Sequence, residues 1–109
     1  MRGTNAGLMK ENNKSLILSM IRRSDFSRAD LAKATGLTKA TISLLVDEMM
    51  LDGLIFDEPA KGINGVGRHP LILRLCESSR HAIGLGLARN GYQLGLYDLG
   101  GNCLEMETR

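Results

Sequence analysis

The sequence has few aromatic residues, few cysteines and no long hydrophobic run. Two phenylalanines and two tyrosines make up its aromatic content. Because the cores of protein interfaces favour such side chains, this scarcity argues against a protein-interaction module. No apolar run approaches the roughly 20 residues that cross a bilayer, and the N-terminus lacks the core of a signal peptide. We therefore expect a cytoplasmic protein with no membrane partner.

The two cysteines, Cys76 and Cys103, form neither a metal-binding spacing nor a disulfide framework. We expect buried or half-buried structural thiols, and we predict no metal site and no cofactor. His69 precedes a proline and has no ligand partner near it in the sequence, so it predicts no metal site either.

The net charge is only +2 over 109 residues, but it is unevenly distributed. Residues 1–45 carry eight Lys or Arg against three Asp or Glu, whereas residues 46–60 carry five acids and no base. This predicts one positive surface that attracts phosphate and one negative end that stays away from it. Chance segregation in a short chain is the alternative. The length allows one domain, or a small domain with a fragment.

Residues 27–53 have the pattern of two capped helices joined by a tight turn. Ser27 and Asp30 predict a capping box at the start of the first helix, and Gly36 predicts its left-handed end. Thr38 then caps the second helix, and Gly53 ends it. The apolar residues of the second helix follow the spacing of one buried face, namely Ile42, Leu45, Val46, Met49 and Met50.

The outward side of the second helix carries small, basic and hydrogen-bonding residues in its first turns. Such a helix start suits the major groove, because its N–H groups and dipole favour phosphate and its side chains reach base edges. We therefore predict a helix-turn-helix. Its candidate DNA contacts are Ser27, Arg28, Thr38, Lys39, Ala40, Thr41, Ser43 and Leu44. The alternative is an ordinary amphipathic helix with a solvated polar face.

A basic, glycine-rich segment lies between two short β-type runs, residues 54–56 and 71–75. This arrangement predicts the wing of a winged helix, with Lys61, Arg68 and His69 on the phosphate backbone or in the adjacent minor groove. A hairpin or linker that binds nothing is the alternative. N-terminal to the helix-turn-helix, residues 8–23 predict a helix with a weak point or a restart at Asn12-Asn13. We expect residues 1–7 to be loosely ordered or to lie on a partner.

The last part of the chain predicts a β-meander. Strands are expected at 82–88, 92–98 and 103–107, with a hairpin turn at Asn90-Gly91. The segment Gly84-Leu85-Gly86 is a weak dinucleotide signal, because a strand and a turn follow where a helix should open. The predicted fold class is α+β: a winged helix-turn-helix of three helices and a β-wing in residues 1–80, then a short β-meander in residues 81–109.

Several segments occur in the order seen in ROK-family (repressor, ORF, kinase) transcriptional regulators, which the chain resembles over nearly its whole length. They are GTN at 3–5, LMKENNKSLILSMIRR at 8–23, SRADLAKATGLTKATIS at 27–43, DGLI at 52–55, GRHP at 67–70 and AIGLGLARNGYQLGLYDLGGN at 82–102. The resemblance implies an N-terminal winged helix that binds operator DNA and a C-terminal sugar-kinase-like domain that senses a sugar or sugar phosphate. It places Lys39, Ala40, Thr41 and Ser43 in the recognition helix. His69 replaces the usual second arginine of a GRRP-like segment.

The chain also departs from the family pattern. Gly86 stands where kinase-active members carry an acidic residue, and Ala88 replaces the first glycine of their phosphate-binding pair. The sugar-binding, catalytic and zinc-ligand segments of the family lie beyond Arg109. We therefore expect a truncated or clipped regulator, or the DNA-binding part of a longer one.

The resemblance implies a homodimeric repressor of carbohydrate-related genes, with a double-stranded DNA operator as its partner. It also implies that the protein is not an enzyme. A sugar or sugar-phosphate effector is expected only where a C-terminal domain exists. The alternatives are a winged-helix protein-interaction module and a fragment of a sugar kinase.

Overall fold

The computed structural model of the chain describes residues 5–60 and 70–109. The chain divides between Leu75 and Cys76 into two compact units. We call the first the helical unit and the second the sheet unit. The domain boundary predicted between residues 80 and 81 lies slightly later in the chain, and the limits of the functional domains stay a prediction.

The helical unit contains three helices and a two-stranded antiparallel sheet. The helices are α1 (Asn5–Arg23), α2 (Arg28–Thr35) and α3 (Lys39–Leu51). The strands are β1 (Ile55–Pro59) and β2 (Leu71–Leu75), which pair from Ile55 opposite Leu75 to Pro59 opposite Leu71. Three helices followed by this hairpin confirm the predicted α+β class and the winged helix-turn-helix.

Two predictions about α1 were wrong. The helix begins at Asn5, so residues 5–7 are helical; residues 1–4 lie outside the described residues. It also runs through Asn12-Asn13 without interruption. Lys10 and Lys14 lie on either side of the asparagine pair, and their Nζ atoms are 2.6 and 3.2 Å from the carboxylate of Glu48 on α3. These tertiary contacts hold the helix across a stretch of weak local propensity.

The helix ends follow the capping signals of the sequence. The Ser27 hydroxyl accepts the N–H of Asp30 at 3.1 Å, and the Asp30 carboxylate accepts the N–H of Ser27 at 3.1 Å. Gly36 ends α2 with φ of 76°, a left-handed conformation in which a side chain is strained. Its N–H donates to the carbonyl of Ala32 at 3.0 Å. The predicted capping box and left-handed end are confirmed.

Side chains from every helix and from the hairpin meet in one core. Its fully buried members are Ile17 on α1, Leu31 on α2, Ile42, Val46 and Met49 on α3, and Leu73 on β2. Leu73 also donates its N–H to the carbonyl of Phe26 at 2.9 Å, which ties β2 to the connection between α1 and α2. The hairpin therefore closes the core and fixes one side of α3.

The sheet unit begins with a 3-10 turn (Glu77–Ser79) and continues as an antiparallel sheet of β3 (His81–Ala88), β4 (Gly91–Asp98) and β5 (Cys103–Thr108), in that order. The Tyr97 ring lies so close to Gly95 that a Cβ there would be 2.6 Å from a ring carbon.

Cys76 is half-buried as expected, but the prediction was wrong for Cys103, which is exposed. Cys103 lies on β5, an edge strand of the sheet.

Among the described residues, no helix is long and apolar enough to span a membrane.

Candidate nucleic-acid interface

The start of α3 is built by the cap at Thr38. The Thr38 hydroxyl accepts the N–H of Thr41 at 3.1 Å and donates to the Thr41 hydroxyl at 2.9 Å. The first intrahelical bond runs from the N–H of Ile42 to the carbonyl of Thr38, at 3.0 Å. The N–H groups of Lys39 and Ala40 therefore precede the first N–H that donates within the helix, as at any helix start, and they add positive potential to this end of α3.

The turn between α2 and α3 is fixed by a second threonine. Thr35 donates its hydroxyl to the carbonyl of Leu31 at 2.7 Å and accepts the N–H of Leu37 at 3.2 Å. Together with the left-handed Gly36, these bonds define the angle at which α3 leaves α2. The tight turn of the predicted helix-turn-helix is therefore set by local hydrogen bonds.

One side of α3 is accessible and the opposite side is not. Thr38, Lys39 and Ala40 are exposed, Leu44 is 58% exposed, and Thr41 and Ser43 are half-buried. By contrast, Ile42, Val46 and Met49 have no exposed surface. The six residues predicted to contact DNA from this helix and its cap are thus all exposed or half-buried, and none belongs to the buried core.

Ser27 and Arg28, the predicted contacts on α2, both have partners inside the helical unit. Ser27 is half-buried and forms the capping box with Asp30. The N–H and hydroxyl of Ser27 hold the pKa of the Asp30 carboxyl below its usual range, with Lys33 adding a smaller effect. Arg28 points its guanidinium at two carboxylates: Nη1 lies 3.0 Å from Asp47, and Nη2 lies 3.6 Å from Asp57.

The acidic segment 46–60 is compensated by ion pairs within the helical unit. In addition to the Arg28 pairs, Glu48 pairs with Lys10 and Lys14, and hydrogen bonds from these two lysines lower the pKa of its carboxyl. Glu58 lies 2.9 Å from Nε of Arg74. The sequence suggested a negative end of the fold, but folding places a cation beside Asp47, Glu48, Asp57 and Glu58. This pairing depends on tertiary contacts that composition does not specify.

Lys39 differs from those cations. Within residues 5–60 and 70–75, four basic side chains form no ion pair within 4.0 Å, namely Arg22, Arg23, Lys33 and Lys39. Lys39 is exposed in the first turn of α3, so its charge is available to a phosphate at the candidate interface.

The predicted contacts of the wing, Lys61, Arg68 and His69, lie outside the described residues. The hairpin that leads to them is well defined, because the N–H of Ala60 donates to the carbonyl of Pro70 at 3.0 Å, beyond the last strand pair. In the part of the chain that is described, no group of three or more His, Cys, Asp or Glu is arranged to hold a metal ion.

Comparison with known proteins gives a consistent result. The chain is 33% identical over 95 residues to a xylose repressor of Bacillus spizizenii, which covers 87% of this chain and 24% of that protein. It is 36% identical over 93 residues to a putative xylose repressor of a Caldicellulosiruptor species, covering 84% of this chain and 23% of that protein. The resemblance to ROK-family regulators is confirmed. No family model matches the chain.

A solved structure supports the fold. It is described as a ROK family transcriptional regulator, a homologue of the Escherichia coli MLC protein, and it superposes with a TM-score of 0.69. Sequence identity is 24%, and the match covers 92% of this chain and 26% of that one. The chain thus spans about a quarter of the length of the relatives and of the solved structure that it matches.

One feature of the site was not predicted from the sequence. Asp47, the first carboxylate on the outward side of α3, is paired with Arg28 from the start of α2. The pair joins residues 19 positions apart, so no local pattern indicates it. The helical spacing alone could have shown that Asp47 shares a side of α3 with Ala40 and Leu44.

Proposed function

We propose that this chain binds double-stranded DNA sequence-specifically through the start of α3 and acts as a transcriptional repressor of carbohydrate-related genes. The proposal depends mainly on one observation about α3. The polar residues of its first turns are accessible to solvent, whereas its apolar side is buried in the core. The names of the relatives, which are xylose repressors, support the same function. They also support the view that the chain is not an enzyme.

Each accessible residue of α3 fits a contact in the major groove. Lys39 is placed to pair with a phosphate, and the hydroxyls of Thr41 and Ser43 to bond a base edge or a phosphate oxygen. Ala40 and Leu44 offer apolar contact to a thymine methyl group. Thr38, which caps α3, lies next to these residues in the chain, and Ser27 caps the preceding helix, α2. Lys61, Arg68 and His69 complete the proposal as backbone or minor-groove contacts of the wing.

We further propose that two copies bind one operator, so that two α3 helices reach half-sites about 34 Å apart. A sugar or sugar-phosphate effector belongs to the proposal only where a sensor domain is joined to this chain. The helical unit supplies the DNA-reading part in either case.

The test is fluorescence anisotropy of a labelled duplex from the region upstream of the chain's own gene, with a shuffled duplex as reference. Binding should be tighter for the native duplex, and it should weaken steeply between about 50 and about 200 mM salt as counterions are released. Lys39→Ala should weaken binding to both duplexes and reduce the salt slope by about 1. Thr41→Ala should instead change the preference between duplexes.

The matched control is Arg89→Ala, which removes an exposed cation from the sheet unit and should leave binding unchanged. Equal affinity for native and shuffled duplexes would count against a sequence-specific regulator. An unchanged Kd in both Lys39→Ala and Thr41→Ala would show that the DNA-binding face is misassigned.

A protein partner is the second candidate, favoured by two exposed leucines on the outward side of α3. Leu44 is 58% exposed and Leu51 is 88% exposed. Binding of a partner through these side chains would depend little on salt, because it would release few counterions. The salt series therefore distinguishes the two candidates.

A further inference from the structure

The outward side of α3 contains a carboxylate at its centre. Ala40, Leu44, Asp47 and Leu51 follow one another at helical spacing, and all four are exposed. The Asp47 side chain is 63% exposed. It lies about 10 Å along the helix axis from Ala40, within the same helix that is proposed to enter the groove. An uncompensated carboxylate there would repel the phosphates on either side.

Arg28 compensates this charge. Its Nη1 donates to Oδ1 of Asp47 at 3.0 Å, and its Nη2 lies 3.6 Å from Oδ2 of Asp57 and 3.6 Å from the sulfur of Met50. The guanidinium thus contacts two residues of α3 and one of β1 from the first position of α2. The Arg28 side chain is 34% exposed, because these three partners cover much of its surface.

We propose that Arg28 is a positioning residue for the recognition helix rather than a phosphate ligand. It offsets the charge of Asp47 on the DNA-facing side and ties the start of α2 to α3 and β1. This inference rests on the proposed function. The opposing view, in which the Arg28 guanidinium binds a phosphate directly, makes a different prediction for a double variant.

The test measures Kd and the salt slope for wild type, Arg28→Met, Asp47→Asn and the double variant, all as full chains. Arg28→Met should weaken binding, by a few-fold to about a hundredfold, because it leaves Asp47 unpaired toward DNA; this is the range of coupling between contacting residues. Adding Asp47→Asn should restore both Kd and slope toward wild type, since the summed charge of positions 28, 47 and 57 returns to its wild-type value. For a phosphate ligand, the double variant should stay weak, with a slope reduced by about 1.

Circular dichroism of each variant checks that the helices are retained. If Arg28→Met does not fold, the structure of the wild-type chain bound to its duplex decides the matter. The inference requires the Arg28 guanidinium to remain on Asp47, and a guanidinium bound to phosphate would overturn it.

If wild type does not distinguish native from shuffled duplex, the proposed function and the inference are both overturned. If wild type does distinguish them but the double variant is not rescued, only the inference falls.

Discussion

Replacing Ile42 by alanine should destabilise the helical unit strongly without removing any proposed DNA contact. Ile42 is completely buried, although it lies between Thr41 and Ser43 in the sequence. Truncating a fully buried isoleucine to alanine costs about 2–5 kcal/mol, and Ile42→Val about 0.5–1.5 kcal/mol. The larger loss is a considerable part of the roughly 5–15 kcal/mol that stabilises a typical domain.

Urea unfolding followed by far-ultraviolet circular dichroism measures this loss, because the α-helices of the described residues all lie in the helical unit. The matched control is Leu44→Ala, two positions along the same helix, where the side chain is 58% exposed. It should change the free energy of unfolding by no more than about 0.5 kcal/mol. A cost for Leu44→Ala equal to that of Ile42→Ala would refute the assignment of the two sides of α3.

Three further predictions concern caps and charge. Ser27→Ala should lower the free energy of unfolding by about 1 kcal/mol through loss of the capping box, whereas Ser27→Asn should preserve most of it; equal urea midpoints for the two variants would contradict this. Gly36→Ala should cost about 1–2 kcal/mol from left-handed backbone strain alone, since no atom lies within 4 Å of the added Cβ, and Gly36→Asn should cost less in the same assay. Because Lys10 and Lys14 lower the pKa of Glu48, the stabilisation from this carboxylate is present above the ordinary glutamate pKa of about 4.3 and is lost as pH falls through the lowered value. The urea midpoints of wild type and Glu48→Gln should therefore converge in acid, and a gap that widens in acid would exclude this ion pair as the cause.

The parts of the fold that follow from neighbouring residues could be predicted from the sequence. The Ser27 capping box, the left-handed Gly36 and the Thr38 cap each depend on residues no more than three or four positions apart. The buried side of α3 follows from helical periodicity, because the spacing of its apolar residues matches the turn of the helix. These local signals also placed the outward residues of the candidate site.

The parts that depend on distant residues could not be predicted. Arg28 meets Asp47 across 19 positions, and Lys10 meets Glu48 across 38; neither pair has a periodic signature. Both pairs compensate acids of an apparently negative segment, and the contact of Lys10 with Glu48 helps to hold α1 across Asn12-Asn13. The exposure of Cys103 likewise follows from its edge strand in the sheet, which cysteine spacing does not reveal.

The most direct measurement of the central claim is a map of amide chemical shifts in the intact chain during titration with the native upstream duplex. The proposed interface predicts that the largest shifts fall on residues 38–44, with smaller ones at the start of α2. Shifts confined to β3, β4 and β5, with residues 38–44 unaffected at saturating duplex, would contradict it.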